Sequence, residues 1–329
     1  MAKNLVIVES PAKARTVGRY LGNDYTVVAS LGHVRDLPPK ELGVDVEDGF
    51  KPTYEVLKDR QKAVREIRQG FKDASTVYLA TDPDREGEAI AWHLVHSAGL
   101  SRKPLRRVVF HEITEEALKE AFSQPRDIDL NLVNAQQARR ILDRLVGYKL
   151  SPVLWRRVIH HYARNKTLSA GRVQSVALRM VVDRERGIQA FLPREYWSIE
   201  AQLEKASEPG ISFRASLHSL RGQKGKLDIT KAAEAARLAA DLKDAPYKVA
   251  QVKKRQVRQR PAAPFTTSSL QQEAWRKLRF PAKKTMLLAQ QLYEGLPIGD
   301  EGDVGLITYM RTDSTNLSSQ ALQEAKAFV

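Results

Sequence analysis

The 329-residue chain contains no cysteine. That absence excludes disulfides, thiolate zinc sites and a cysteine nucleophile. It does not assign a compartment, but with no targeting segment a reducing cytoplasm is the default expectation. Long apolar runs are missing as well. None reaches the roughly 18 residues needed to span a bilayer, so no membrane role is expected. The opening Met1-Ala-Lys-Asn-Leu-Val-Ile-Val-Glu9 has only a short apolar stretch, stopped by Glu9. It reads as a first strand, not a signal peptide. Acidic residues are in deficit: 54 Lys and Arg stand against 39 Asp and Glu, a net charge of +15. Such an excess points to a polyanionic partner, most often nucleic acid, rather than a generic basic surface. The charge is also clustered. Residues 139–186 hold twelve basic residues and three acids, and residues 251–260 hold five basic residues and no acid.

One stretch organises the rest, Thr76-Val-Tyr-Leu-Ala-Thr-Asp-Pro-Asp-Arg-Glu-Gly-Glu-Ala-Ile-Ala-Trp-His93. It begins as an apolar β-forming run and becomes helical from Glu86, with Ala89, Ile90, His93 and Leu94 on one face. Asp82, Asp84 and Glu86 therefore fall at a strand-to-helix junction, where open parallel sheets bind ligands. Carboxylates this close repel one another. A helix N-terminus relieves part of that repulsion, and a hard cation such as Mg2+ relieves more. The plainer alternative is three acids that cap a helix and face solvent.

A second junction resembles the first. Leu5 to Val8 lacks alternation, as a strand buried on both faces does. Ser10 then serves as N-cap, Pro11 as first helical residue and Gly22 as terminator. If the two strands are neighbours, Glu9 faces Asp82 and Asp84 across a crevice. Lys13, one turn into the helix, is its candidate partner; otherwise Glu9 is a partly exposed strand end.

His33 and Arg35 lie in a polar loop and could touch phosphate. Val56 to Phe71 reads as an amphipathic helix, Val108 to Phe110 as a strand and Thr114 to Phe122 as a helix capped by Thr114. Leu130 to Val146 reads as a long helix ended by Gly147, on which Arg139 and Asp143 stand four apart and could pair. Ser151 to Ile159 is a further short helical piece, and His160 to Thr167 a polar loop. Small residues at Ser169, Ala170 and Gly171 open another helix; their N–H groups could bind phosphate, or simply form a tight turn. From Tyr196 the texture turns β-like, with alternation over 197–204 and 211–220, an Ala-rich helix over 231–242 and a strand over 247–257. Pro261-Ala-Ala-Pro264 reads as a linker. Ser269 with Gln272 resembles a capping box. Gly305 to Thr315 reads as a strand entering a polar turn, which would put Tyr309 and Arg311 on one face. A phenol is a poor nucleophile until a fixed cation stabilises it, and Arg311 could be that cation. Asp313 would orient Arg311 or cap the last helix. That helix stops at Val329 without a cap, so the chain reads as part of a longer one.

Five segments in order, Val6 to Ala14, Ala80 to His93, Asn134 to Arg140, Ser169 to Ser175 and Thr308 to Ser314, resemble the bacterial topoisomerase I (type IA) family over nearly the whole chain. The acidic motif alone would indicate only a Toprim domain, which primases and some nucleases share. The resemblance implies a Rossmann-like α/β Toprim domain plus the α-rich and β-containing domains of a toroid. Residues 1–146 would form the Toprim domain, with a loop near 36–56 packing on the next domain. Residues 147–195 would form a helical single-strand groove, 196–260 part of a β-rich arch or hinge, and 261–329 part of a catalytic tyrosine domain. Tyr309 would attack a DNA phosphodiester to give a 5′-phosphotyrosine bond. Arg311 would stabilise the phosphoryl charge, Glu9 would handle the proton of the departing 3′-oxygen and Lys13 would contact the scissile phosphate. Asp82 and Asp84, with Glu86 and Glu9, would hold Mg2+, with no need of ATP and no zinc in this chain. His33, Arg139, Arg140, Asp143, Tyr148 and Trp155 would line the strand groove. Ser169, Ala170, Gly171, Arg172, Val173 and Gln174 would continue it, and Arg311, Asp313 and Ser314 would meet DNA near the tyrosine. His160 to Thr167 is longer than the family's short link. The expected partner is single-stranded or underwound DNA, and the expected protein a cytoplasmic, nucleoid-associated bacterial monomer that relaxes negative supercoils. A Toprim nuclease or primase, or a DNA-binding piece without catalysis, are the alternatives.

Overall fold

The computed structural model describes residues 4–159, 168–223, 225–311 and 313–329. Strand β1 (Asn4–Val8) is the spine of a four-stranded sheet. On one side it pairs in parallel with β2 (Tyr25–Ala29), on the other with β3 (Thr76–Leu79), and β3 pairs in parallel with β4 (Leu105–Arg107). Leu5, Val6, Ile7 and Val8 are all fully buried, which explains why their run does not alternate. Side-chain direction still has period two. Leu5 and Ile7 enter one core with Val64 and Ile67 of helix α2 (Gln61–Asp73) and Ala91 and Leu94 of α3 (Arg85–Ala98). Val6 and Val8 enter the other with Val17 of α1 (Pro11–Leu21) and Leu118 of α4 (Glu115–Ser123). Ala289, Tyr293, Tyr309 and Met310, from the far end of the chain, complete that second layer.

The local signals for helix ends hold at several places. Ser10 accepts from the Lys13 N–H, Pro11 opens α1 and Gly22 closes it at φ 74°. Thr114 caps α4, and Gly295 closes the Ala282–Glu294 helix at φ 118°. A Cβ at Gly295 would lie 2.5 Å from Thr16 Oγ1, and that hydroxyl donates to the Glu294 carbonyl at 2.7 Å. The glycine thus lets the tyrosine-bearing segment close onto α1.

Elsewhere tertiary context prevailed. Helix α5 (Leu130–Leu154) runs through Gly147 and even Pro152, then widens into a π turn at Trp155–Ile159. Gly147 therefore ends nothing; a lone interior glycine costs only about 1 kcal/mol against alanine. The capping box is Thr266 with Ser269, not Ser269 with Gln272. The helix expected over 56–71 begins at Gln61, and the strand expected at 108–110 ends at Arg107. Among the described residues, 247–257 and 305–315 contain no strand. Just before the second stretch, Asp303–Val304 pairs with Leu296–Pro297. The His160 to Thr167 loop lies outside the described residues.

The chain forms two compact units, Met1–Gln174 with Pro261–Val329, and Ser175–Arg260. In the second, Glu200–Glu204 pairs antiparallel with Ser212–Ser216, and Ile229, Ala235 and Leu238 make a small core with the Ala232–Lys243 helix.

Candidate active site

The sheet order β2-β1-β3-β4 reverses direction beside β1, which opens a crevice at the carboxyl ends of β1 and β3. Glu9 follows β1 directly, and Asp82 follows β3 by three residues. Their carboxylates meet there. Glu9 Oε1 accepts the Asp82 backbone N–H, and Lys13 Nζ lies 3.1 Å from Glu9 Oε2 and 2.9 Å from Asp82 Oδ1. Lys13 is 1% exposed and stands 4.8 Å from the Phe110 ring centroid. Burial works against its charge, but Glu9 and Asp82 outweigh it and push the ammonium pKa up. Burial pushes the Glu9 carboxyl up as well, despite Lys13.

The acidic turn is held from behind. Arg107, fully buried, donates to the carbonyls of Leu79, Thr81, Asp82 and Val108, and to Glu88 Oε2 at 3.0 Å. Glu88 also accepts from Arg126 at 2.9 Å and from the Asp129 N–H at 2.7 Å. Gly87 lets the first turn of α3 lie against this backbone: a Cβ there would sit 2.2 Å from the Asp82 carbonyl oxygen. Composition gave no warning of Arg107 and Glu88 as a buried pair. The glutamate of the Glu-Gly-Glu sequence was the available signal.

Tyr309 reaches this crevice from 225 residues away. Its hydroxyl donates to Asp84 Oδ2 at 2.7 Å, while Asp84 Oδ1 caps α3 by accepting the Gly87 N–H at 2.8 Å. Its own N–H is anchored on the His111 carbonyl at 2.7 Å. Arg311 Nη1 stands 3.5 Å from the same Asp84 oxygen. So Tyr309 and Arg311 converge on one carboxylate through an irregular bend, not by sharing a strand face. Burial, then Asp82 and Asp84, push the Tyr309 phenol well above its ordinary range. The Tyr293 ring packs edge-on at 5.2 Å and is fully buried. Asp313 and Ser314 are exposed, and the cap of the Ser319–Phe328 helix is Ser318.

The remaining predicted residues gather on α5. His33, Glu86, Arg139, Arg140 and Asp143 line a cavity of about 270 Å3 with Arg35, Asp36, Tyr54, His93 and Gln136, which the sequence reading did not place there. His33 Nε2 is 3.4 Å from Glu86 Oε2, and Gln136 donates to that oxygen at 3.1 Å. Arg140 grips Asp36 with two bonds of 2.8 and 2.5 Å. Asp143 pairs with Arg172 at 2.7 and 3.2 Å rather than with Arg139. The i,i+4 spacing only permits a pair, and the planar fork of Arg172 fits the carboxylate bidentately. Tyr148 donates to the Pro39 carbonyl at 3.0 Å and Arg144 to that of Pro38 at 2.9 Å, so the loop after His33 is strapped to α5. Trp155 donates to the Leu168 carbonyl, Ser151 Oγ takes the Ala170 N–H at 3.0 Å, and Gln174 returns to Ser169 at 2.7 Å. Gly171 sits 3.0 Å, by its notional Cβ, from Gln174, and Val173 is 70% exposed.

The acids are not arranged to hold a metal here. Among the described residues no three His, Asp or Glu side chains converge as a metal-holding group. Lys13 lies between Glu9 and Asp82, Asp84 is engaged on both oxygens, and Glu86 turns to His33 and Gln136.

A Rossmann-like parallel sheet with an acidic switch point, closed by a tyrosine-bearing segment, defines a Toprim protein with a phenolic nucleophile candidate. Residues 4–113 match the model of the Toprim domain, and residues 127–329 that of a family described as DNA topoisomerase. The solved structure of full-length topoisomerase I from Thermotoga maritima, in a monoclinic crystal form, is similar at a TM-score of 0.81 and 42% identity, over 98% of this chain and 52% of that one. The chain belongs to the bacterial type IA topoisomerase family. It spans about half the length of that relative. Among the described residues, no helix is long and apolar enough to cross a membrane.

Proposed function

We propose that this chain carries the cleavage and religation centre of an ATP-independent type IA topoisomerase, which cuts one DNA strand, lets another pass and reseals the first, relaxing negative supercoils. The observation that carries this reading is the 2.7 Å hydrogen bond from the Tyr309 hydroxyl to Asp84. A carboxylate at that distance can act as general base for the phenol proton. Tyr309 Oη attacks the phosphorus, the P–O3′ bond breaks and a 5′-phosphotyrosine ester forms. The phenol proton passes to Asp84, and the 3′-oxygen takes a proton from Glu9, whose burial favours the protonated acid. Religation runs the same path backwards, so no bond energy is lost to water. Arg311 stabilises the phosphoryl charge, and Lys13 supplies a second cation beside it. His33, Arg139, Arg140, Asp143, Tyr148 and Trp155, with 169–174, hold the single strand, and Asp313 and Ser314 meet it near the ester.

Toprim domains in general bind Mg2+, and the same reading expects the ion near Asp82 and Asp84. The present arrangement, with Lys13 between Glu9 and Asp82, does not fit it. The reading includes a monomeric, cytoplasmic and nucleoid-associated protein, and the division at 146, 195 and 260 into Toprim, groove, arch and tyrosine domains.

The test is an end-labelled single-stranded oligonucleotide mixed with the protein and denatured. A covalent protein–DNA band is expected from the wild type and none from Tyr309→Phe. Cut ends without an adduct would establish a nuclease instead, and binding without cutting a mere DNA-holding piece.

A further inference from the structure

A nucleophile that cuts a strand keeps one product and frees the other, so the two sides of the cut need separate seats. The cavity along α5 does not include Tyr309, and its carboxylates Asp36 and Asp143 are each gripped by an arginine. Tyr309 lines two other cavities instead. One, of about 630 Å3, has mostly apolar walls, with Phe265, Leu270, Leu288 and Met310 among them, and no Lys or Arg. The other, of about 680 Å3, is more polar, and its wall includes Pro83, His111, Glu112, Tyr309, Arg311 and Asn316. The acidic turn stands between this cavity and the one along α5: Pro83 lines the first and Glu86 the second. Among the described residues, the His111 ring, the Glu112 carboxylate and the Asn316 amide enter no hydrogen bond or ion pair. A ring face, an acceptor and a donor–acceptor amide are therefore left to solvent. They surround a space of the size that small-ligand sites have, about 300–1,000 Å3.

We propose that this polar cavity seats the first nucleoside of the strand that Tyr309 retains, on the 3′ side of the cut, while the α5 cavity keeps the end with the free 3′-hydroxyl. The assignment rests on the reading of Tyr309 as the nucleophile. When Tyr309 Oη displaces the 3′-oxygen, the phosphorus stays bonded to the 5′-oxygen of the next nucleoside. That nucleoside is tied to Tyr309 by a single phosphodiester, so it enters a cavity whose wall contains this residue. The apolar cavity offers its phosphate no cation, whereas Arg311 stands on the wall of the polar one. Glu112 repels a phosphate but accepts N–H groups from a base edge, and His111 supplies a ring for stacking. Arg311 thus meets the phosphate, and His111, Glu112 and Asn316 meet the base.

The test uses the oligonucleotide adduct assay, once wild type has mapped the cut. The base immediately 3′ of the cut is replaced by an abasic residue, and the rate of adduct formation is measured for wild type and His111→Ala on both strands. The contact that anchors the Tyr309 N–H is the His111 backbone carbonyl, so this substitution leaves it in place. Loss of the base should slow wild type about fivefold or more, and His111→Ala should slow the intact strand by a similar factor. The two losses should not multiply: on the abasic strand His111→Ala should match wild type within about twofold. Asn316→Ala should behave alike with a smaller factor, about twofold to fivefold, and decides the matter if His111→Ala fails to fold by circular dichroism. Indifference of wild type to the abasic residue, unimpaired adduct formation by both variants, or losses that multiply would each overturn the seat. No adduct from wild type sinks the reaction and the seat together, whereas an adduct that ignores this base sinks the seat alone.

Discussion

The buried knot behind the acidic turn and the charged wall of α5 are built from the same chemistry, arginine on carboxylate, yet they do opposite things. Arg107 and Glu88 are 0% and 1% exposed, whereas Arg140 and Asp36 are 37% and 33% exposed, and Arg172 and Asp143 are 31% and 40% exposed. In the knot, removing one partner leaves the other charged and dry, so the arrangement is rigid and fixes the Asp82 turn. On α5, water screens each pair and compensates its loss, so a guanidinium can leave its carboxylate for a phosphate at small cost. Rigidity suits the centre where atoms must be placed within a fraction of an ångström. Exchangeable pairs suit the proposed groove, which strands would enter and leave.

The sharpest way to break that contrast is Glu88→Ala. It should destabilise the protein by roughly 3–5 kcal/mol in urea denaturation, since Arg107 and Arg126 lose their shared anion. A loss under about 1 kcal/mol would put the knot in the same class as the groove. Next in size is a pH effect at the border of the two regions. His93 is 3% exposed and accepts from Arg35 Nε at 2.6 Å, and burial, then Arg35, lower its pKa from 6.5 to about 3. The folded protein keeps this ring neutral, while the unfolded chain takes up the proton at higher pH. Its contribution is therefore whole above about 6.5 and is lost as the pH falls toward 3. His93→Gln should flatten the stability slope in that window, and an unaltered slope would assign it to other groups.

Asp36→Asn is expected to be milder. Burial pushes Asp36 up, but Arg140 outweighs it and holds the carboxyl below its ordinary value of 3.8. That stability is present above 3.8 and lost as the pH falls through the depressed value. Screened by solvent, it should amount to at most about 1 kcal/mol at neutral pH. The difference between variant and wild type should vanish in acid. Smallest for stability is Arg139→Ala, which should leave unfolding unchanged. It should weaken single-stranded oligonucleotide binding and lower the salt slope by about 0.7, the share of one phosphate contact.

Much of this was legible beforehand. Leu5 to Val8 was recognisable as a doubly buried strand because nothing in it alternates, and Ser10-Pro11 and Thr114 as helix starts because capping is local chemistry. Glu9, Asp82 and Asp84 could be assigned to one crevice because parallel strands deliver their carboxyl ends to one edge. The misses share a cause. Gly147 looked like a stop, but α5 runs on through it to Leu154. Arg139 looked like the partner of Asp143, but Arg172, 29 residues on, had the better geometry. Tyr309 and Arg311 were expected on a strand, and an irregular bend brought both to Asp84 instead. Arg107 carried no local mark of its five donor contacts, because four of its acceptors are backbone carbonyls, which every residue has.

Sequence alone determined the sheet, the helix boundaries set by caps, the acidic turn and the inventory of reactive groups, because each depends on neighbours a few positions away. Which of those groups touch was decided only by the tertiary structure. The Tyr309 phenol on Asp84, the Lys13 ammonium between Glu9 and Asp82, and the Arg172 fork on Asp143 join parts of the chain that no periodicity links. The physical reason is that hydrogen bonds and ion pairs select partners by distance and angle in space, and those are set by how two cores close over one sheet.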